Sequence, residues 1–242
     1  MKIKIMMVGL CLLLAGCAGV VPKTPAGWTR KTIETKYLSF AVWEKIQGTG
    51  QPLRIYLEGD GHPDPKRPIA FELATKDKTD SNVVYVARPC QYVKNDECHN
   101  PALWQEERFN AELVDELKTL IVYLAHKYQA PSLDLIGYDG GGTMAMLLAV
   151  RMPVRQVITV GGILDTQKYA TDQNISLNGS NPADYLPALS YVSQTHYVGS
   201  ADSIALRRDA ERFVGQLNNP RSARVKIVPS ATHTDWKNLV LD

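Results

Sequence analysis

The chain has 242 residues, of which 45% are hydrophobic and 21% charged, which is enough apolar material for one domain with a sizeable core and too much for a disordered chain. Its 27 Lys and Arg almost balance its 25 Asp and Glu, and a formal charge of +2 excludes the basic footprint of a nucleic-acid binder. No low-complexity tract or internal repeat is present, which excludes repeat architectures.

Lys2 and Lys4 precede an uncharged apolar run from Ile5 to Ala15. The run has the length of a signal-peptide core and is too short to cross a bilayer. It closes in Leu14-Ala15-Gly16-Cys17, which resembles the lipobox of bacterial lipoproteins. That resemblance implies removal of residues 1–16 and acylation of Cys17, giving a membrane-bound protein with an N-terminal lipid anchor. Ala18 stands where an Asp retains such proteins at the inner membrane, so the resemblance points to the periplasmic face of the outer membrane. Residues 17–27, with two prolines and two glycines, read as the lipidated cysteine and its tether, leaving 28–242 as the folded domain. An ordinary signal peptide with an incidental cysteine is the other reading.

Tyr37 to Trp43 is strand-like, and Leu53 to Leu57 is a clearer strand that ends in Glu58-Gly59-Asp60-Gly61. Glycines directly after a strand make a turn and also let backbone N–H groups face a ligand. An apolar-spaced helix is predicted over Ile69 to Ala74, and Asn82 to Ala87 is a continuous apolar run of the kind buried on both faces in a parallel sheet. Cys90 and Cys98 are an even, closely spaced pair that in an exported protein reads as a disulfide. A zinc site would need ligands beyond His99, and no metal or cofactor is implied.

The longest helix is predicted from Gln105 to Tyr128, with Phe109, Leu113, Leu117, Leu120, Leu124 and Tyr128 on one face. Pro131 to Gly137 reads as a strand, Gly140 to about Arg151 as a helix, and Val154 to Val160 as a strand. A strand at Gln194 to Val198, a helix at Leu206 to Leu217 and a last strand at Arg224 to Val228 complete the chain. Strand and helix alternate throughout, which predicts an α/β domain with a mostly parallel sheet flanked by helices. The segment at about 162–192 lacks periodicity and is long enough to be functional. His196 lies in a strand and His126 on the long helix, and both read as structural.

Between the Pro131 strand and its helix lies Gly137-Tyr138-Asp139-Gly140-Gly141, a G-x-D-x-G turn. Glycines in the first turn of a helix need a local reason, and a sharp reversal with close helix-strand packing supplies it. Asp202 follows the next-to-last strand and His233 the last, both at the ends where parallel sheets bind ligands. In this order the chain resembles an α/β-hydrolase from the Glu58-Gly59-Asp60-Gly61 loop to His233, with Asp in place of Ser at the nucleophile elbow. The resemblance implies a catalytic set of Asp139, Asp202 and His233. It also implies an oxyanion hole from the Gly59, Asp60, Gly61 loop and the N–H of Gly140, and a small cap at about 162–192.

An aspartate needs no base to attack and attacks sp³ carbon well, giving an ester that a histidine hydrolyses with water. This resembles haloalkane dehalogenases and epoxide hydrolases, from which the chain departs in having Gly140, and not Trp, after the acid. The expected function is hydrolysis of a small organic substrate. Two further readings stand beside nucleophilic attack by Asp139. In one, His233 activates water by another route; in the other, Asp139 only caps its helix and the envelope protein keeps the fold for binding. Arg88 and Trp104 flank the cysteine loop and either line the pocket or brace it. The sequence does not speak to the oligomeric state.

Overall fold

A computed structural model describes residues 21–60, 67–93, 98 and 100–241. Residues 1–16, Cys17 and Gly61, to which the sequence assigns the signal segment, the lipid anchor and part of the oxyanion loop, lie outside the described residues. Among the described residues no helix is long and apolar enough to cross a membrane.

Among the described residues eight strands form one sheet. They are β1 (Thr29–Glu34), β2 (Ser39–Lys45), β3 (Leu53–Leu57), β4 (Asn82–Val86), β5 (Leu133–Tyr138), β6 (Gln156–Val160), β7 (Gln194–Gly199) and β8 (Ala223–Val228). Their order is β1-β2-β4-β3-β5-β6-β7-β8. β2 pairs antiparallel with β1 and with β4, and every other neighbouring pair is parallel. The α/β architecture expected from the alternation of elements is the one observed.

Side chains alternate across the sheet with a period of two, and this alternation divides the core. Leu53, Ile55 and Leu57 of β3 face one layer, with Leu113, Leu117, Leu120 and Leu124 of α2 (Ala111–Lys127) and Phe213 of α6 (Arg207–Gly215). Tyr56 of the same strand faces the other layer, with Phe71 of α1 (Ile69–Thr75) and Trp236. In that second layer Trp43 packs against Phe71, Tyr85 and Tyr92 with ring centroids 5.4 to 5.7 Å apart. Beneath them a buried Arg54 bridges Asp77 at 2.6 Å and Asp134 at 3.0 Å, while the Tyr56 hydroxyl donates to Asp77. Such an inner ion network fixes β3 to its neighbours, because each charge is costly to leave unpaired.

Two expectations are corrected. The long helix begins at Ala111, not Gln105, because the Asn110 side chain accepts the Leu113 N–H at 2.7 Å and caps it. Residues 105–109 instead form turns that carry Arg108 and the buried Phe109. The first strand, Thr29–Glu34, has no counterpart in the sequence reading, since its apolar residues are too few to show a pattern at a sheet edge.

The aperiodic segment holds two short helices, α4 (Thr166–Gln173) and α5 (Leu186–Leu189). It is tied to the turns before α2, where Asn178 and Ser180 donate backbone N–H groups to Glu106 and Phe109 at 2.6 and 3.0 Å. Between β5 and β6 the chain forms α3 (Gly140–Ala149), buried over almost its whole length.

Candidate active site

At the end of β5 the chain reverses into α3 within one residue. Asp139 takes φ 51° and ψ −123°, a sparsely populated conformation that costs a residue with a Cβ free energy. Gly137 makes the reversal possible, because a Cβ there would lie 2.1 Å from the Gly141 carbonyl oxygen. The Asp139 side chain makes no capping bond to α3. It turns instead toward the loops that follow β3 and β8.

His233, in the loop after β8, stands between two carboxylates. Its Nε2 is 3.3 Å from Asp139 Oδ1 and its Nδ1 is 3.0 Å from Asp202 Oδ2. Asp202 is itself fixed, since its other oxygen accepts the Ile204 and Ala205 N–H groups at 2.8 and 2.9 Å. The His233 backbone carbonyl receives the Tyr138 hydroxyl at 3.0 Å and the Trp236 indole N–H at 2.7 Å, which holds the ring in place. Burial opposes protonation of His233, yet its bonds to Asp139 and Asp202 prevail and raise its pKa to about 10. Burial likewise opposes ionisation of Asp139, but His233 and the N–H groups of Gly140 and Asp60 outweigh it and hold the carboxyl below its usual range. At neutral pH Asp139 is therefore a carboxylate beside a His233 imidazolium.

The second oxygen of Asp139 has a different partner. Asp139 Oδ2 accepts the backbone N–H of Asp60 at 3.2 Å, and the Gly140 N–H also faces this carboxylate. Of the loop residues expected to form an oxyanion hole, Asp60 reaches the site. Gly59 does not contribute its N–H, which donates to Glu58 Oε1 at 2.9 Å. The Asp60 carboxylate lies over α3, so close that a Cβ on Gly140 would be 1.9 Å from its Oδ2. Two guanidiniums hold it there, Arg88 at 2.7 Å and Arg108 at 2.9 Å. Burial pushes the Asp60 pKa up to about 6, Arg88 pulling it down and Asp139 adding to the rise.

Cys90 and Cys98 are joined in a disulfide, as their spacing predicts. Arg88 braces the loop after β3 through Asp60, and Trp104 lies on the helical turn Pro101–Trp104. His126 is on the solvent face of α2, whereas His196 is buried between Thr159 and Gln194, where burial pushes its pKa down to about 4. The half-buried Tyr169 of α4 lies in the field of Asp139, Arg108 and Asp60, and its pKa is raised chiefly by burial. It also lines a cavity of about 360 Å³ between α4 and α6, which contains none of the three catalytic candidates. No group of three or more His, Cys, Asp or Glu among the described residues is placed to hold a metal ion.

No protein-family model matches the sequence, and no curated protein matches it. Solved structures do match in three dimensions. An α/β serine hydrolase homologue from Coxiella burnetii superposes with a TM-score of 0.61 at 15% identity, over 85% of this chain and 89% of that one. The chain has the α/β-hydrolase fold. Est1E from Butyrivibrio proteoclasticus gives a TM-score of 0.63 at 12% identity, covering 85% and 90% of the two chains. A lidless α/β serine hydrolase from Xanthomonas campestris gives 0.57 at 12% identity, covering 88% and 89%. Within this α/β-hydrolase fold Asp139 occupies the strand-to-helix elbow, Asp202 follows β7 and His233 follows β8.

The residues that the sequence reading missed act through side-chain direction or over long separations. Arg108 belongs to a segment that reads as helix, Tyr138 and Trp236 act on a backbone carbonyl, and Glu58 occupies the Gly59 N–H. Only the glycine-rich surroundings of residues 58–61 marked that loop as special.

Proposed function

We propose that this protein is a hydrolase of small organic molecules, held at the envelope membrane by a lipid on Cys17, in which Asp139 is a covalent nucleophile. The observation that carries the reading is the division of its two carboxylate oxygens. One faces His233 and the other accepts the backbone N–H of Asp60, while the Gly140 N–H also faces the carboxylate. An acyl-transfer site keeps its oxyanion hole for the substrate oxygen, whereas here the hole holds an oxygen of the nucleophile.

That arrangement suits attack on a saturated carbon bearing a leaving group. Asp139 Oδ1 forms the new carbon–oxygen bond, the bond to the leaving group breaks, and the leaving group departs with the electron pair. Asp139 loses its charge in becoming an ester, so His233 loses one of its two ion partners and releases its proton to solvent more readily. Neutral His233, oriented by Asp202, takes a proton from water as the oxygen of that water adds to the ester carbon. The negative charge that develops on Oδ2 is then met by the Asp60 N–H already in place on that oxygen, with the Gly140 N–H facing the same carboxyl group. Collapse returns the aspartate, releases the alcohol and leaves His233 protonated. Attack of Asp139 on an ester carbonyl would give an anhydride, which disfavours simple esterase activity.

The test is a screen of the mature protein against haloalkanes, epoxides and carboxylic esters, with His233→Ala as the trapping variant. The expected result is turnover in one of the first two classes and a substrate-derived mass addition to the Asp139 peptide in His233→Ala. Turnover confined to esters, or full activity in Asp139→Ala, would overturn the nucleophile. Binding of ligands by a protein that turns over none of them would favour a noncatalytic envelope protein.

A further inference from the structure

Three side chains around the oxyanion donor are not used in the chemistry just described. Asp60 gives its backbone N–H to Asp139, while its carboxylate is turned away and held from two directions. Arg88, two residues beyond β4 and buried, donates one Nη to Asp60 Oδ1 at 2.7 Å and the other to the Arg108 carbonyl at 2.5 Å. Arg108 completes the contact from the turns before α2. Both guanidiniums lie over the face of Phe109, at 5.7 and 5.4 Å, so neither is free to swing away.

Arg88 is held in turn by the start of the disulfide loop. Its backbone N–H donates to Gln91 Oε1 at 2.9 Å, and Gln91 Nε2 donates to the Gly59 carbonyl at 3.4 Å. Cys90 and Tyr92, on either side of Gln91, have φ of 68° and 62°, conformations that a residue with a side chain adopts only when its surroundings impose them. The disulfide to Cys98 closes this loop.

We propose that Arg88 and Arg108 are positioning residues that set the oxyanion N–H through the Asp60 carboxylate, and that the Cys90–Cys98 loop acts on the site through Arg88 and Gln91. The inference rests on the proposed use of the Asp60 N–H as an oxyanion donor. Its physical basis is that a hydrogen-bond donor stabilises a developing charge only when it is fixed before the charge appears. A glycine-flanked loop does not hold its own peptide in place. A carboxylate bound by two guanidiniums does, with each arginine anchored to a different part of the fold.

A substrate-independent experiment can be made in Asp139→Ser protein, labelled with a fluorophosphonate ester whose transition state places an oxygen in the hole. Adding Arg88→Gln should slow labelling ~10- to 100-fold, as expected for a misplaced oxyanion donor, with near-UV circular dichroism unchanged. Arg88→Ala should be slowed likewise and be partly rescued by guanidinium ion, which a merely structural role would not allow. Cys90→Ser with Cys98→Ser should give a smaller loss. Labelling of Arg88→Gln at the parent rate would overturn the proposal.

Hydrogen exchange at the Asp60 amide in otherwise wild-type protein separates this inference from the reading beneath it. The Asp60 amide should exchange at least about tenfold faster in Arg88→Gln, following the free energy of local opening. Unchanged exchange would overturn the clamp. Faster exchange in a protein whose Asp139→Ser variant never labels would keep the clamp and contradict the hydrolytic site.

Discussion

The backbone N–H of Asp60 lies 3.2 Å from Oδ2 of Asp139, so the loop after β3 and the acid at the elbow are already paired in the resting protein. A serine at position 139 would leave that donor free. Replacing Asp139 with Ser therefore exchanges one chemistry for another: attack on saturated carbon should be lost, and slow esterase activity with a p-nitrophenyl acetate probe should appear. A variant that gains no ester hydrolysis and loses no native activity would show that the pairing has no catalytic meaning.

The charge state of His233 provides a second prediction. Its folded pKa of about 10 stands above the ordinary 6.5, so protonation favours the folded state. That stabilisation is fully present below 6.5 and is lost as pH rises through about 10. Asp139 has the opposite sign: its stabilisation is present above 3.8 and is lost as pH falls through its lowered value. Asp139→Asn removes one of the two partners, and the His233 titration followed by NMR should move down by more than one unit. An unmoved titration would mean that Asp202 alone sets the ring.

The same charge logic separates two steps of turnover. Formation of the ester needs only ionised Asp139 and should be flat across neutral pH. Its hydrolysis needs neutral His233 and should quicken as pH rises, with a midpoint below 10 because esterification removes the Asp139 charge. Rapid-quench measurement of the two phases would show this, and ester hydrolysis that slows with rising pH would refute His233 as the base.

Two substitutions should distinguish architecture from chemistry. Gly137→Ala would put a Cβ 2.1 Å from the Gly141 carbonyl oxygen, and should destabilise the fold by more than about 2 kcal/mol in urea unfolding. Gly140→Ala would drive its methyl into the Asp60 carboxylate, so activity should fall at least about tenfold through displacement of the oxyanion donor. Equal loss of stability and activity in both would contradict the separate roles.

In the inner ion network, Asp134→Ala leaves Arg54 without one of its two buried carboxylate partners. The expected loss is about 3–5 kcal/mol. The site geometry should be otherwise unchanged, and the remaining folded protein should keep its specific activity.

Much of this molecule was legible in its sequence because the signals are local. The apolar runs of β3, β4, β5 and β6 are short and buried on both faces, and the glycines around Asp139 mark a reversal whatever the acid does. Asp202 and His233 were legible because each follows a recognisable strand. What was not legible depends on side-chain direction and on contacts between distant segments. Phe109 lies in helical register with Leu113, so only the Asn110 cap reveals that the helix starts later and frees Arg108 for the site. The strand Thr29–Glu34 is defined by its pairing with β2, not by its composition. Glu58 taking the Gly59 N–H, and leaving Asp60 as donor, is a detail of side-chain direction that spacing does not encode.

Covalent catalysis by Asp139 is tested most directly by where the water oxygen goes. In a single turnover in ¹⁸O-labelled water with excess enzyme, attack of water on the Asp139 ester places the label in the Asp139 carboxylate and leaves the first product alcohol unlabelled. The expected result is a mass increase of about two units in the Asp139 peptide, carried by that side chain. Label found wholly in the product, with the Asp139 peptide unchanged, would contradict covalent catalysis by this residue.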